Sequence, residues 1–265
     1  DGYSALVTMQ SWMFLSSFAN FRKDLIDNYN ICNLMHMENN VMRIAFGTCA
    51  TIFCREKINR NGIYFNVKYE NISDKNVPYE FPIPNNPMYS KQISDYQKIP
   101  GNNIAYWVSD NLLHDFEIAK PFSEFADLFQ GIITGDNEKF LRFWYELNIN
   151  KISFNQKSMN DINLKESFWI PYNKGGAFRK WYGNQDYVVN WKNGPNDKTR
   201  GKESFSDYYL REYVSWSYIT SSTLASRYFP YGFLWDVSGS GFFDKTNNIK
   251  YLNALLGSVV GIEIL

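Results

Sequence analysis

The chain has 265 residues, of which 45% are hydrophobic, 18% aromatic and 20% charged, a composition typical of a globular protein rather than a disordered one. Its 27 basic and 27 acidic residues give a formal net charge of zero, which excludes a protein that binds polyanions through its overall charge. No apolar run approaches the roughly 20 residues that span a bilayer, so we expect no contact with a membrane.

The three cysteines, Cys32, Cys49 and Cys54, form no Cys-x-x-Cys pair, which is typical of reduced thiols in a cytoplasmic protein. Because the chain has only two histidines, we predict no metal site. Cys32 and His36 are four residues apart on a predicted strand, where that spacing does not make a catalytic dyad. The sequence contains no phosphate-binding loop and no dinucleotide, serine-hydrolase or zinc-protease motif.

The first part of the chain is predicted to be α/β. A strand in "YSALVTMQ" precedes a helix in "SSFANFRKDLIDNYN", whose apolar residues have helical spacing. A second strand follows in "ICNLMHM". The segments "RIAFGTCATIFCREK" and "GIYFNVKYE" are predicted to form an antiparallel hairpin, because Asn61 and Gly62 between them are a strong turn signal. This order indicates the end of a mixed α/β sheet in residues 1–72.

Residues 73–103 are predicted to be a linker, and residues 104–265 a second region that mixes helices and short strands. The linker is rich in Asn and Lys and carries five prolines: Pro78, Pro82, Pro84, Pro87 and Pro100. Further along, "IAYWVSDNLLHDF" and "DNEKFLRFWYE" have helical spacing. The aromatic tracts "DYYLREYVSWSYI" and "RYFPYGFLWDV" favour strands.

Gly135, Asp136 and Asn137 stand directly before one of these predicted helices. Gly135 allows a tight turn, and Asp136 or Asn137 can cap the helix. Free backbone N–H groups at such a turn suit a phosphate, so these three residues are candidates for DNA binding. Alternatively, these residues only form a turn and cap the helix, and bind no ligand.

The segment from Tyr172 to Lys202 is locally basic. Seven basic residues against two acidic ones leave an excess of five positive charges. Lys174, Arg179 and Lys180 can neutralise phosphates, Gly175 and Gly176 admit a backbone, and Trp181 and Tyr182 can stack on bases. We therefore expect these seven residues to contact nucleic acid; a solvated loop over a small aromatic core is the alternative.

Two further segments have features of nucleic-acid-binding proteins. Arg227 is the one cation in "SWSYITSSTLASRYFPYGFLWDVSGSGFF", where hydroxyls and a guanidinium can bond phosphates or base edges, and it joins the DNA-binding candidates. Hairpins with exposed Ser and Thr are the alternative there. The segment "NNPMY" is similar to the Asn-Pro-Pro-aromatic loop of adenine methyltransferases, but Met88 and the Pro-rich setting argue against that role.

Several blocks together resemble one family. The segments "TMQSWMFLSSFANFRKDLIDNYNICNLMHM", "IPGNNIAYWVSD", "QGIITGDNEKFLRFWYE", "IPYNKGGAFRKWYGNQDYVVNW" and "YFPYGFLWDVSGSGFF" are similar, in this order, to PglX-type adenine-specific DNA methyltransferases of BREX phage-defence systems. The resemblance covers nearly the whole chain.

The resemblance implies a fold class and a function. It implies the C-terminal part of a Rossmann-like α/β methyltransferase sheet, followed by a mixed α+β target-recognition domain. It also implies methyl transfer from S-adenosylmethionine to N6 of adenine in double-stranded DNA, in the cytoplasm, with other phage-defence subunits as possible partners. The family's cofactor and catalytic motifs are expected upstream of Asp1, because the two ends of the sequence look cut. No catalytic or cofactor-binding residue is therefore assigned, and the fragment alone is expected to be inactive.

Two other functions fit the same residues less well. The chain is alternatively a non-catalytic DNA-specificity module of a restriction-modification or defence complex. A carbohydrate-binding surface would account for the aromatic residues, but neutral sugars give no reason for seven clustered cations.

Overall fold

The computed structural model describes residues 2–55, 60–72, 86–192, 203–217 and 224–264. The chain divides into two compact units, Asp1–Ala119 and Lys120–Leu265. Each unit combines β-sheet with short helices, and the expected mixed α/β fold class is confirmed. In the part of the chain described, no helix has both the length and the apolar character needed to cross a membrane.

The first unit is built on a five-stranded sheet of order β1-β3-β2-β4-β5. Its strands and helices are β1 (Tyr3–Met9), α1 (Ala19–Asn28), β2 (Asn30–Met37), β3 (Thr48–Cys54), β4 (Gly62–Val67), β5 (Met88–Lys91) and α2 (Asp110–Ile118). Strands β2 and β4 are parallel, and the other neighbouring pairs are antiparallel. The strands β1 and β2 therefore run in the same direction, with α1 as the crossover that parallel strands require.

The predicted hairpin between the third and fourth strands is wrong. Strand β2 lies between β3 and β4 and pairs with both, so Gly62 begins a strand and does not close a two-residue turn. The physical reason lies in β2 itself. Its largely apolar sequence suits a strand in the middle of a sheet, and the Asn-Gly signal reports only local backbone preference.

The core of the first unit lies between one face of this sheet and its helices. Leu25 and Ile26 of α1 pack there with Leu34 and Tyr64 of the sheet. Arg22 of α1 is also buried, and its guanidinium donates to the carbonyl oxygens of Trp12, Leu15 and Gly101. Burial lowers the pKa of Arg22, and these bonds compensate for the lost hydration.

The expected linker only partly corresponds to described structure. Residues 73–85 lie outside the described residues. Residues 86–103 contain β5, which pairs with β4, and two 3₁₀ helices. In the "NNPMY" segment, Met88 and Tyr89 thus belong to a sheet strand, and the Tyr89 ring packs against Tyr106.

The second unit contains two four-stranded sheets, of order β11-β10-β13-β6 and β12-β8-β9-β7. Its elements are β6 (Ala126–Phe129), α3 (Asn137–Phe140), β7 (Leu141–Phe143), β8 (Trp169–Asn173), β9 (Tyr187–Asn190), β10 (Tyr213–Trp216), β11 (Ser226–Phe229), β12 (Leu234–Trp235), β13 (Gly241–Asp244), α4 (Ile249–Leu256) and α5 (Val259–Ile264). The helix predicted in "DNEKFLRFWYE" is a single turn, α3, after which the chain enters β7.

Aromatic side chains fill the core between the two sheets. Tyr172 from one sheet and Tyr213, Phe229 and Phe243 from the other share a single cluster with Trp235. Tyr213 stacks on Phe229 with ring centroids 5.0 Å apart. Much of the aromatic surplus is therefore structural, and only the exposed rings are available for stacking on a ligand.

Candidate nucleic-acid interface

Three chain segments of the second unit end at the same edge. Strand β12 lies parallel to β8, and Ile132 forms a parallel bridge with Asp236, the residue after β12. Because parallel segments end on the same side, the turns that follow Ile132, β8 and β12 meet there. Asn137 and Lys174 line one shallow depression of about 430 Å³ at this edge. The structure thus brings together the turn at residues 135–137 and the turn at 174–176.

A buried carboxylate organises this edge. Asp236 is 1% exposed, and its Oδ2 accepts hydrogen bonds from Lys174 Nζ at 2.6 Å and from the Tyr172 hydroxyl at 2.8 Å. Its Oδ1 accepts from the Ser238 backbone N–H at 2.8 Å. Burial, and the neighbouring carboxylate, hold the pKa of Tyr172 well above its ordinary value, so this hydroxyl stays a donor.

Lys174 is consequently not a free cation. Its ammonium group forms an ion pair with Asp236, which offsets the charge that the sequence assigned to a phosphate. Gly175 also has an internal role: a Cβ there would lie 2.6 Å from the carbonyl oxygen of Ser238, so only glycine fits. Gly176 is exposed and has a φ of +119°, which favours glycine for conformational reasons.

Residues 176–184, which we call the basic–aromatic loop, are attached to strand β11. The Trp181 N–H donates to the carbonyl oxygen of Ser226 at 2.9 Å, and the Tyr228 N–H donates to that of Trp181 at 3.1 Å. The Trp181 ring lies against Gly257 after helix α4, where a Cβ would be 2.4 Å from the ring. This tryptophan therefore braces the loop, although 46% of its surface is still exposed.

Arg227 holds the same loop from below. Its side chain is 0% exposed, and its guanidinium donates to the carbonyl oxygen of Arg179 and to the Ser217 hydroxyl, both at 3.1 Å. The Ser217 hydroxyl in turn donates to the carbonyl oxygen of Gly176 at 3.1 Å. Burial lowers the pKa of Arg227, but a guanidinium stays protonated. With no accessible surface, Arg227 has the position of a support and not of a direct DNA contact.

The exposed side of the loop carries the charges and rings. Arg179 is exposed, and Lys180 lies with its Nζ 5.0 Å from the centroid of the Trp181 ring. Phe178 and Tyr182 are 51% and 68% exposed. The Arg179 guanidinium and the Lys180 ammonium lie on the same loop as these two accessible rings. This combination suits a nucleic-acid strand, because cations neutralise phosphates and rings stack on bases.

The turn at residues 135–137 has a clear structural role. Gly135 has a φ of +74°, and the Asp136 carboxylate accepts from the Lys139 N–H at 3.0 Å, which caps α3. The Thr134 hydroxyl donates to the side-chain oxygen of Asn137. All three residues are exposed, so the Asn137 amide nitrogen remains available as a donor at the same edge as Lys174.

The basic run of the sequence is divided in space. Lys192 follows β9 and lies over the ring of Phe168, which precedes β8, so it is at the opposite end of the sheet from Lys174. Lys198, Arg200 and Lys202 lie outside the described residues. Within the described part, the cations that the structure places in the loop are Arg179, which is exposed, and Lys180, which is half-buried.

Sequence reasoning missed Asp236, Ser217, Phe178 and Gly257. A signal was present for Asp236, because "DVSG" directly after an apolar strand is an Asx-turn pattern. No comparable signal marked Ser217 or Gly257, whose roles depend on segments 41 and 76 residues away in sequence.

In the described part of the first unit, the turn after β1 does not fit the methyl donor that the resemblance implies. A nucleotide-like cofactor on such a sheet needs a glycine-rich turn after a strand. The turn after β1 contains no glycine, and Trp12 and Met13 fill the space there with 7% and 0% exposure.

Two adenine-specific methyltransferases are similar in sequence to this chain. No protein-family model matches the chain. The adenine-specific methyltransferase PglX of Lacticaseibacillus casei (strain Zhang) is 34% identical over 281 residues, which cover 97% of this chain and 23% of that protein. The adenine-specific methyltransferase BrxX of Escherichia coli O9:H4 (strain HS) is 31% identical over 271 residues, which cover 96% of this chain and 22% of that protein. The chain thus spans less than a quarter of the length of these two relatives.

Among solved structures, the type IIL restriction-modification enzyme MmeI in complex with DNA aligns with a TM-score of 0.50 at 10% identity. The alignment covers 94% of this chain and 34% of that one, so the two share a fold. The fold is therefore one that occurs in restriction-modification enzymes. Along nearly all its length, the chain is related to one segment of the PglX-type adenine-specific methyltransferases, as the sequence blocks predicted.

Proposed function

We propose that the chain is part of a site-specific N6-adenine DNA methyltransferase of a BREX-type phage-defence or restriction-modification system. The observation that carries the proposal is the basic–aromatic loop, exposed and firmly attached to β11, in a chain related to PglX along its length. In this proposal, residues 1–72 are the end of the methyltransferase catalytic domain, 73–103 join the two parts, and 104–265 read DNA. The whole second unit falls within the proposed reading region.

The proposed contacts use loop side chains that are exposed or, for Lys180, half-buried. Arg179 and Lys180 neutralise backbone phosphates, while Phe178 and Tyr182 pack on sugars or bases. The Asn137 amide, at the neighbouring turn, is placed to bond a base edge. Lys174, Gly175, Trp181 and Arg227 shape this surface from within.

Methyl transfer is assigned to the parent protein and not to this chain. S-adenosylmethionine, the usual donor of such enzymes, would be bound by the part of the parent upstream of these residues. We therefore expect this chain alone to be inactive as a methyltransferase. The parent would act on double-stranded DNA in the cytoplasm, together with other defence subunits.

The test is a salt titration of binding to labelled duplex DNA, followed by fluorescence anisotropy. The double variant Arg179→Glu, Lys180→Glu should lower affinity and reduce the log–log salt slope by roughly two, since each phosphate contact contributes about 0.9. The matched control is Lys151→Glu, Lys165→Glu, which makes the same charge change at exposed positions near the start of β8, the far end from Lys174. Equal effects of the two double variants would contradict the proposed interface.

A non-catalytic specificity module is the competing function. Incubation of the purified parent with duplex DNA and radiolabelled S-adenosylmethionine separates the two. Transfer of label to adenine supports the methyltransferase, and a parent that binds DNA without transfer supports the module.

A further inference from the structure

Three aromatic rings stack at the edge of the second unit that carries the basic–aromatic loop. Strand β7 runs in the same direction as β8, because both are antiparallel to β9, so the turn after Phe143 lies at the edge where β8 ends. The Phe143 ring packs against Tyr187 with centroids 4.6 Å apart, and it stacks on Tyr145 with centroids 5.2 Å apart and an interplanar angle of 5°. The Trp144 N–H donates at 3.0 Å to the carbonyl oxygen of Asp186, two residues after the loop. The stack is therefore attached to the proposed DNA-reading surface.

The last ring of this stack is open to solvent. Tyr145 is 62% exposed, whereas Phe143 and Tyr187 are half-buried. Tyr145 lies in a 3₁₀ helix, Trp144–Glu146, and the Glu146 carboxylate fixes the start of that helix by accepting from the Phe143 N–H at 2.8 Å. An exposed ring that is already held in place loses little freedom when a second flat ring stacks on it.

The recess beside the stack is polar and carries net negative charge. The depression of about 430 Å³ that contains Asn137 and Lys174 is also lined by Glu138, Arg142, Phe143, Glu146 and Tyr187. Because Asp236 offsets the charge of Lys174, two carboxylates stand against one guanidinium. That guanidinium already donates to the backbone carbonyl oxygens of Glu138 and Leu141. A phosphate would thus be repelled here, in contrast to the basic–aromatic loop.

These groups suit a nucleobase that carries an exocyclic amino group. Its ring can stack on Tyr145, its amino group can donate to the exposed Glu138 carboxylate, and an acceptor on its edge can accept from the Asn137 amide. Adenine, guanine and cytosine carry such an amino group, and thymine does not. A paired base inside the helix offers only its edge, because neighbouring bases cover both its faces. The open ring face of Tyr145 therefore needs a base outside the helical stack.

We infer that the ring platform, as we call Asn137, Glu138, Phe143, Tyr145 and Tyr187, binds an unpaired nucleobase that carries an amino group. The inference rests on the proposed function, because the base arrives with DNA that the basic–aromatic loop holds. It is separate from methyl transfer, which the proposed function assigns to upstream residues.

An arginine of a partner protein is the competing occupant, since a guanidinium also stacks on rings and pairs with carboxylates. Arg179 and Lys180, on the loop at the same edge, favour the nucleic acid, because these cations attract phosphates and repel an arginine.

Competition binding of this chain to three duplexes of equal length tests the platform. One duplex is fully paired, one contains a single unpaired adenine, and one contains a single unpaired thymine. We expect the unpaired-adenine duplex to bind at least about fivefold more tightly than the paired duplex, because one base gains stacking and needs no unpairing. The unpaired-thymine duplex should bind less tightly than the unpaired-adenine duplex, since thymine has no amino group for Glu138.

Three variants separate stacking from edge recognition. Tyr145→Ala should remove the preference for an unpaired base, whereas Tyr145→Phe should keep it, because stacking needs the ring and not the hydroxyl. Glu138→Ala should remove the discrimination between adenine and thymine. The matched control is Tyr231→Ala, a 39% exposed tyrosine before β12, at the opposite end of the sheet from Lys174, which should keep both properties.

Several outcomes overturn the inference. Equal affinity of the unaltered chain for all three duplexes would reject the base as occupant, while the proposed function stands. A preference that survives Tyr145→Ala, or that Tyr231→Ala removes equally, would assign the unpaired base to another surface. A chain that binds none of the duplexes would reject the proposed interface and the platform together.

Discussion

At the scale of single residues, Arg179 and Arg227 show how the same side chain takes opposite roles. Arg179 is exposed on the basic–aromatic loop, whereas Arg227 is buried and bonds the carbonyl oxygen of Arg179 itself. The same substitution at both positions therefore separates contact from support.

Arg227→Met should lower the free energy of unfolding by about 1–3 kcal/mol, because buried acceptors lose a charged donor. DNA affinity should fall with it, since the loop loses its support, while the salt slope stays unchanged. Arg179→Met should change stability by less than about 0.5 kcal/mol and reduce the salt slope by roughly one. Urea unfolding measures the stability of each variant, and fluorescence anisotropy measures its DNA affinity and salt slope. A reduced slope with unchanged stability for Arg227→Met would restore the direct contact that the sequence predicted.

His36 links stability to pH. Its Nε2 lies 2.5 Å from the Gln10 side-chain oxygen, to which it donates, and its Nδ1 lies 2.9 Å from the Tyr106 hydroxyl, which donates to the neutral ring. Burial lowers the pKa of His36 from its ordinary value of 6.5 to about 4. The folded state thus binds fewer protons than the unfolded state between these values.

The stability that His36 contributes should be fully present above pH 6.5 and decline as the pH falls towards 4. The whole loss is about 3 kcal/mol. Urea unfolding at several pH values should show a steeper decline for the unaltered chain than for His36→Gln. His114→Gln, which removes an exposed histidine on α2, should keep the steep decline. Identical curves for all three would refute the assignment.

At the scale of elements, the open edge of β1 predicts how this chain behaves in solution. Val7→Lys places a charge on an exposed strand that lacks one, and charged edges resist pairing with other chains. We expect this variant to remain monodisperse at higher concentration in light scattering than the unaltered chain does. Its unfolding free energy should lie within about 0.5 kcal/mol of that of the unaltered chain. Ile118→Lys, on a helix, should give no such gain, and a similar gain from it would indicate a general charge effect.

At the scale of the whole molecule, the division into two units predicts where DNA binding resides. The aromatic cluster that supports the loop consists entirely of residues from the second unit. Residues 120–265, produced alone, should therefore fold and bind duplex DNA with the salt slope of the complete chain. A folded second unit that has lost this binding would move part of the interface to residues 1–119.

The sequence by itself determined what depends on short-range interactions and on similarity. The Asp136 cap follows from a local pattern of three or four residues, and the relation to PglX follows from sequence blocks that need no three-dimensional information. The exposure of Arg179 also agrees with a loop rich in glycine and charge.

Only the tertiary structure decided which distant groups meet. Lys174 pairs with Asp236, 62 residues further along, and Arg227 lies beneath a loop 48 residues earlier. The place of β2 between β3 and β4 was decided in the same way, against a strong turn signal. The physical reason is that burial, desolvation and ion pairing depend on the final packing of sheets, whereas residue patterns report the preferences of neighbours along the chain.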